Sequence, residues 1–149
     1  MLIAAELILH GVPAFAAPDF WPGSDVGAQP TQPGTVPQRV SVKTRTYERK
    51  NAFIGYDDID EFDWLAVVIL PGPGCERRRF FIVPRDIADQ RATPEDRTWR
   101  KKRPERHAGK SFFVRNLVKW PAEHRQGLAD YEDNFVLSRI PRSALDGAP

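Results

Sequence analysis

Cysteine, methionine and histidine are scarce in this sequence. Its 149 residues include one cysteine, one methionine and three histidines. A single cysteine excludes an intrachain disulfide and a cysteine-rich zinc site. The formal net charge at pH 7 is only +2, so the overall balance does not indicate a polyanionic partner. Long apolar runs are missing too, since no segment approaches the ~20 apolar residues that a membrane-spanning helix needs.

Proline is abundant, and the rest of the composition is that of an ordinary globular domain. The fourteen prolines argue against a bundle of long helices, because proline breaks helices. Apolar residues make up 41% of the chain and charged residues 28%, which is typical of a folded chain. The length predicts a single domain over residues 1–149 with one sizeable core.

The small net charge conceals an uneven distribution. Residues 1–75 have a net charge of −4, residues 76–125 of +8, and residues 126–149 of −2. A basic segment with Trp99 among its cations is predicted to contact DNA or RNA, because cations grip phosphates and aromatic rings stack on bases. The alternatives are a solvated loop, or a loop that docks on the chain's own acidic run at 57–63. The predicted contact residues are Arg97, Arg100, Lys101, Lys102, Arg103 and Arg106.

The hydrophobic pattern predicts an α/β (α+β) fold. Residues 2–10 have helical spacing and stop at Gly11. Residues 38–46 alternate as a strand does, and the dense apolar run at 62–70 predicts a buried strand that forms a hairpin with 79–83. A helix followed by strands and then mixed pieces is typical of this fold class. The shorter predicted pieces are strands at 12–15 and 112–114, helical pieces at 84–90, 121–127 and 129–135, and a connection at 47–56.

The first seventeen residues resemble a short secretory signal. They are largely apolar and end in Ala14-Phe15-Ala16-Ala17. However, no Lys or Arg precedes the apolar run, and Glu6 and His10 interrupt it. These features favour a cytoplasmic chain, and the alternative is a small secreted domain that begins after this segment.

Four polar residues have the order and spacing of a metal-assisted site. Glu6 interrupts an otherwise apolar helix, and Asp25 follows a Gly-Ser turn at the start of an extended segment. Ser41 and Lys43 share one face of the 38–46 strand, because side chains alternate along a strand. Carboxylates can hold Mg²⁺ or Mn²⁺, and a lysine can orient or deprotonate a water, which suits phosphodiester hydrolysis. Each residue also has a plainer interpretation, as a turn residue, a strand residue or a solvent-facing charge.

The order of these motifs resembles the PD-(D/E)xK nuclease superfamily, in particular its small restriction-endonuclease-like and homing-endonuclease-like single-domain members. The resemblance runs through Ala5-Glu6, Gly23-Ser24-Asp25-Val26 and Val40-Ser41-Val42-Lys43-Thr44-Arg45. It implies a central mixed β-sheet flanked by helices and a metal-dependent endonuclease that acts on DNA. Within it, Asp25 matches the metal-binding aspartate, Lys43 the catalytic lysine, and Glu6 the acidic residue of the first helix.

Ser41 departs from the family, which carries Glu, Asp or often Gln at this position. A serine hydroxyl has no charge and is a poor Mg²⁺ ligand, so an acid from elsewhere would have to replace it. The candidates are Glu6, Asp57 and Asp58, whereas Gln38 faces the other side of a regular strand. The alternative function is a catalytically impaired nuclease fold that serves as a nucleic-acid-binding or protein-interaction module. Restriction-type nucleases often cut both DNA strands as a homodimer.

Overall fold

The computed structural model describes residues 2–29, 36–48, 52–94, 109–119, 127–142 and 144. These residues form an α+β architecture with two β-sheets. The helices are α1 (Leu2–Leu9), α2 (Arg85–Arg91) and α3 (Val114–Lys119), with a 3₁₀ turn at Ala129–Tyr131. The strands are β1 (Ala14–Ala16), β2 (Val26–Ala28), β3 (Gln38–Thr46), β4 (Phe53–Asp57), β5 (Trp64–Leu70), β6 (Arg79–Pro84), β7 (Thr93–Pro94) and β8 (Gly109–Phe113).

The larger sheet is mixed, with five strands in the order β1-β2-β3-β5-β6. β1, β2 and β3 pair antiparallel, β3 and β5 pair parallel, and β5 and β6 pair antiparallel. The predicted strands at 38–46, 62–70 and 79–83 are confirmed, the last two as a hairpin. The α+β class predicted from the sequence is therefore confirmed.

β5 lies between β3 and β6 in the larger sheet and is buried on both of its faces. Every residue from Trp64 to Ile69 is buried, which explains the continuous apolar run in the sequence. Leu65 and Val67 project to one face of the sheet, and their neighbours along the strand project to the other. In the parallel register with β3, Ser41 aligns with Leu65 and Lys43 with Val67.

The space between the two sheets is filled by the larger of two apolar cores, here called the inner core. The smaller sheet has the order β4-β8-β7 and faces the larger one. Burial between these layers removes large aromatic and branched side chains from water, which is the main stabilising contribution to such a fold. The members of the inner core include Ile54, Tyr56, Leu65, Val67, Ile69, Phe81 and Phe112, together with Leu117 of α3 and Leu128.

The helix α1 covers the other face of the larger sheet. The apolar residues between α1 and this face form the second core, here called the outer core. Ile3 and Leu7 are buried against a cluster that includes Val40 and Phe135. The helix stops as predicted, because Gly11 takes a φ of +84°, where a side chain would be strained. Neither α1 nor any other helix that the structure describes is long and apolar enough to cross a membrane.

Three short elements differ from the sequence prediction. β4 begins inside the segment 47–56 that was predicted to be a connection, ends at Asp57, and pairs with β8. The strand predicted at 112–114 occupies Gly109–Phe113, and α3 follows it directly. Only the first three residues of the helical piece predicted at 129–135 form a helical turn, because Asp133 has a positive φ of 55°, outside the right-handed helical region.

Candidate active site

Strands β2 and β3 separate at Asp25, and this position is here called the β2–β3 fork. The two strands pair over only three residues of each, 26–28 of β2 with 38–40 of β3. Asp25 donates its backbone N–H to the carbonyl of Val40 at 2.9 Å. Its side-chain Oδ2 accepts the backbone N–H of Val42 at 2.7 Å. The carboxylate therefore occupies the place of a strand-pairing acceptor, beside the stretch of β3 that carries Ser41 and Lys43.

Ser41 and Lys43 share one face of β3, as the alternation predicted. This is the face that aligns with Leu65 and Val67 of β5 and with the inner core. Ser41 is 1% exposed, and within the described ranges its hydroxyl has no hydrogen-bond partner. Lys43 is half-buried and forms no hydrogen bond or ion pair with another described residue. Its ammonium group is thus available to a ligand.

The structure places Glu6 and Lys43 on opposite sides of the larger sheet. Glu6 lies on α1, which packs against the face of the sheet opposite to Lys43. Its Oε2 lies 3.9 Å from Nδ1 of His10, and the His10 ring stacks on Phe135 with 4.6 Å between centroids. Glu6 and Lys43 therefore do not converge, because alternation along β3 turns Lys43 away from α1. Asp25, in contrast, lines a cavity together with the first residues of α1.

The first part of the acidic run at 57–63, up to Asp60, is engaged in the fold. Asp58 lies 3.3 Å from the ammonium group of Lys110 on β8. The backbone N–H of Asp57 donates to Oδ2 of Asp60 at 3.0 Å, which closes the turn after β4. These contacts favour the interpretation of this first part of the run as a structural turn.

Arg39 anchors a polar cluster on the Ser41 face that the sequence pattern did not reveal. Its guanidinium carbon lies 4.8 Å from the centroid of the Trp21 ring. Its Nη1 lies 2.7 Å from Oε2 of Glu61, and its backbone N–H donates to Oδ2 of Asp63 at 2.8 Å. Arg39 precedes Ser41 by two residues on the same strand, so Glu61 reaches that face. The sequence showed five carboxylates in seven positions, but it did not show which of them turns towards β3.

A second polar cluster closes one side of the inner core. The Tyr56 hydroxyl donates to Oδ1 of Asp89 at 2.7 Å, and Nζ of Lys110 lies 3.5 Å from the same oxygen. Burial, together with the hydrogen bond to the Asp89 carboxylate, raises the pKa of Tyr56 well above its ordinary value. The hydroxyl therefore remains protonated at neutral pH and acts as a donor, not as a base. The cluster satisfies polar groups at the border of the core.

Replacing Ser41 by alanine is expected to leave the free energy of unfolding unchanged or to raise it by up to about 1 kcal/mol. A buried hydroxyl without a partner costs free energy, and alanine removes it with little loss of volume. Urea denaturation of both proteins measures the change. The matched control is Ser138→Ala, whose hydroxyl donates to the Ile140 carbonyl at 3.0 Å, and which should lose about 0.5–1.5 kcal/mol. A comparable loss for Ser41→Ala would contradict the prediction.

The fork has a donor set that fits a hard divalent cation only in part. Asp25 offers one carboxylate, and Ser41 offers a neutral hydroxyl in place of a second acid. In the ranges that the structure covers, no group of three or more His, Cys, Asp or Glu side chains could hold a metal ion. Mg²⁺ commonly binds through one or two carboxylates with waters and substrate phosphates, so Asp25 is the residue that would hold it.

The segment predicted to grip nucleic acid, residues 97–106, lies outside the described residues, as do residues 121–126 of a predicted helical piece. A comparison of the chain with models of known protein families and with curated proteins finds no match.

Proposed function

We propose that the chain is a metal-dependent DNA endonuclease with a restriction-endonuclease-like fold, whose reactive centre lies at the β2–β3 fork. One observation carries the proposal: the Asp25 carboxylate is bound to the amide of Val42, between Ser41 and Lys43 on β3. A carboxylate can hold a metal, and a lysine that pairs with no described residue can orient a water. The order of motifs along the chain supports the same proposal.

Each residue of the fork has a separate part in the proposed reaction. Mg²⁺ or Mn²⁺ at Asp25 would supply Lewis acidity towards a phosphate oxygen. The Val42 amide holds Oδ2 of Asp25 and so orients the carboxylate before a ligand arrives. Lys43 binds a phosphate oxygen or orients the attacking water, and it needs no rearrangement because no described residue pairs with it. Glu6 has no part in the proposed reaction, since it lies on the opposite side of the sheet from Lys43.

Ser41 favours a second candidate function, a catalytically impaired nuclease fold that binds nucleic acid or a protein partner. Its buried hydroxyl brings no charge to the fork. With one acid in place of two, metal affinity would be low, and Lys43 would serve phosphate contact alone. The basic segment at 97–106 would supply further phosphate contacts in either case.

A plasmid-nicking assay with Mg²⁺ or Mn²⁺ separates the two functions. We expect the wild-type protein to nick supercoiled plasmid, EDTA to stop it, and Asp25→Ala to raise the metal concentration needed by about tenfold or more. Asp19→Ala is the matched control, because Asp19 is an exposed carboxylate in the loop before the fork. Linear product without a nicked intermediate would indicate a homodimer that cuts both strands.

Two outcomes of this assay decide against the endonuclease. Cleavage that persists in both Asp25→Ala and Lys43→Ala would place the reaction elsewhere or in a contaminant. DNA binding that weakens with salt, without cleavage at any metal concentration, would support the binding module instead.

A further inference from the structure

Among the described residues, the edge of β3 has no strand partner beyond its first three residues. β2 pairs only with those three, whereas β3 continues to Thr46. The backbone groups of Arg39 and Tyr47 form hydrogen bonds on the β5 side of the strand. Backbone groups of successive residues point to alternate sides of a strand. The side away from β5 therefore carries the carbonyl of Val42, both backbone groups of Thr44 and the N–H of Thr46. In the part of the chain that the structure describes, no strand pairs with these groups.

A largely apolar cavity of about 420 Å³ lies beside this edge, on the face that α1 covers. Its lining includes residues of α1, of the sheet and of the β2–β3 fork, namely Leu2, Ile3, Val42, Thr44, Val68 and Asp25. In an antiparallel pair, directly opposite residues project to the same face of the sheet. Side chains opposite Val42 and Thr44 on an added strand would therefore point towards this cavity.

The other face of the same edge is basic. Lys43 and Arg45 alternate with the cavity-facing residues and so project away from α1. Arg45 is exposed, and its Nε donates to the carbonyl of Phe53 at 3.3 Å. Lys43 is half-buried and unpaired among the described residues. An added strand would meet two cations on one of its faces, and on the other a largely apolar cavity with Asp25 in its lining.

We propose that this edge binds an extended peptide as an antiparallel strand, with acidic residues opposite Lys43 and Arg45 and apolar residues opposite Val42 and Thr44. Backbone hydrogen bonds supply the affinity in this mode, and alternate side chains supply the selectivity. A second copy of the chain is a poor occupant, because self-pairing centred on Thr44 sets Lys43 opposite Arg45 of the other copy. The proposal goes beyond the endonuclease function and does not rest on it.

Amide hydrogen exchange with two defined peptides tests the proposal. One peptide alternates valine with glutamate, and the other alternates valine with lysine. We expect the glutamate peptide to slow exchange at the Thr44 and Thr46 amides and to bind at least about tenfold more tightly than the lysine peptide, because two cross-strand charge pairs change sign. Arg45→Glu should weaken the glutamate peptide about tenfold. Arg115→Glu makes the same charge change at an exposed position of α3 and should leave its affinity unchanged.

Three results would overturn the proposal. Equal affinity for the two peptides, or no binding of either, would show that Lys43 and Arg45 do not select an acidic strand. Slow exchange at Thr44 and Thr46 in the free protein would mean that the edge is already covered, by the chain itself or by a second copy. Protection of these amides by a single-stranded oligonucleotide, but not by the glutamate peptide, would assign the edge to nucleic acid.

Discussion

Replacing Lys43 by alanine is expected to slow metal-dependent DNA cleavage by about 10²–10⁴-fold, the usual contribution of a group that moves or positions a proton in the transition state. The free energy of unfolding should hardly change, because no described residue forms a hydrogen bond or ion pair with Lys43. Initial rates of plasmid nicking and urea denaturation curves from the same preparations measure both quantities. A large loss of rate without a loss of stability would indicate a functional role for this side chain.

Two further variants sharpen the test of Lys43. Lys119→Ala is the matched control, since Lys119 is exposed in the last turn of α3, and it should cleave at the wild-type rate. Lys43→Arg keeps the positive charge but replaces a compact ammonium by a planar guanidinium, so it should retain DNA binding and recover only part of the rate. If Lys43→Ala cleaves as fast as wild type, Lys43 has no part in the reaction.

The long strands were predictable from sequence because burial alone determines their pattern. β3 alternates at the border of both cores, and its predicted and observed limits coincide at 38–46. β5 is buried on both faces and was predicted two residues too long at its start, because buried Phe62 extends the apolar run. β4 was missed because Gly55 weakens its short pattern, and because its pairing partner β8 is distant in the chain.

The candidate site was predictable only along one strand. Alternation is a local property, so the shared face of Ser41 and Lys43 followed from the sequence. Which face of the sheet α1 covers depends on tertiary packing, here that of Ile3 and Leu7 against the sheet. This packing separates Glu6 from Lys43.

Replacing Phe81 by alanine is expected to lower the free energy of unfolding by about 3–5 kcal/mol. The Phe81 ring is fully buried in the inner core, and in the β5–β6 pair its residue aligns with Val67. The guanidinium of Arg79 lies 5.4 Å from the centroid of the ring, and a backbone bridge joins Phe81 to Glu132 of the C-terminal segment. Truncation would leave a cavity between two sheets whose strands cannot easily close it. Urea denaturation measures the loss.

Two further phenylalanine variants serve as controls for the loss of stability expected of Phe81→Ala. Phe20 is 79% exposed, so Phe20→Ala should change the free energy of unfolding by less than about 0.5 kcal/mol. Phe81→Leu keeps much of the buried volume and should lose only about 1–1.5 kcal/mol. A loss below about 1 kcal/mol for Phe81→Ala would mean that the two sheets do not pack around this ring.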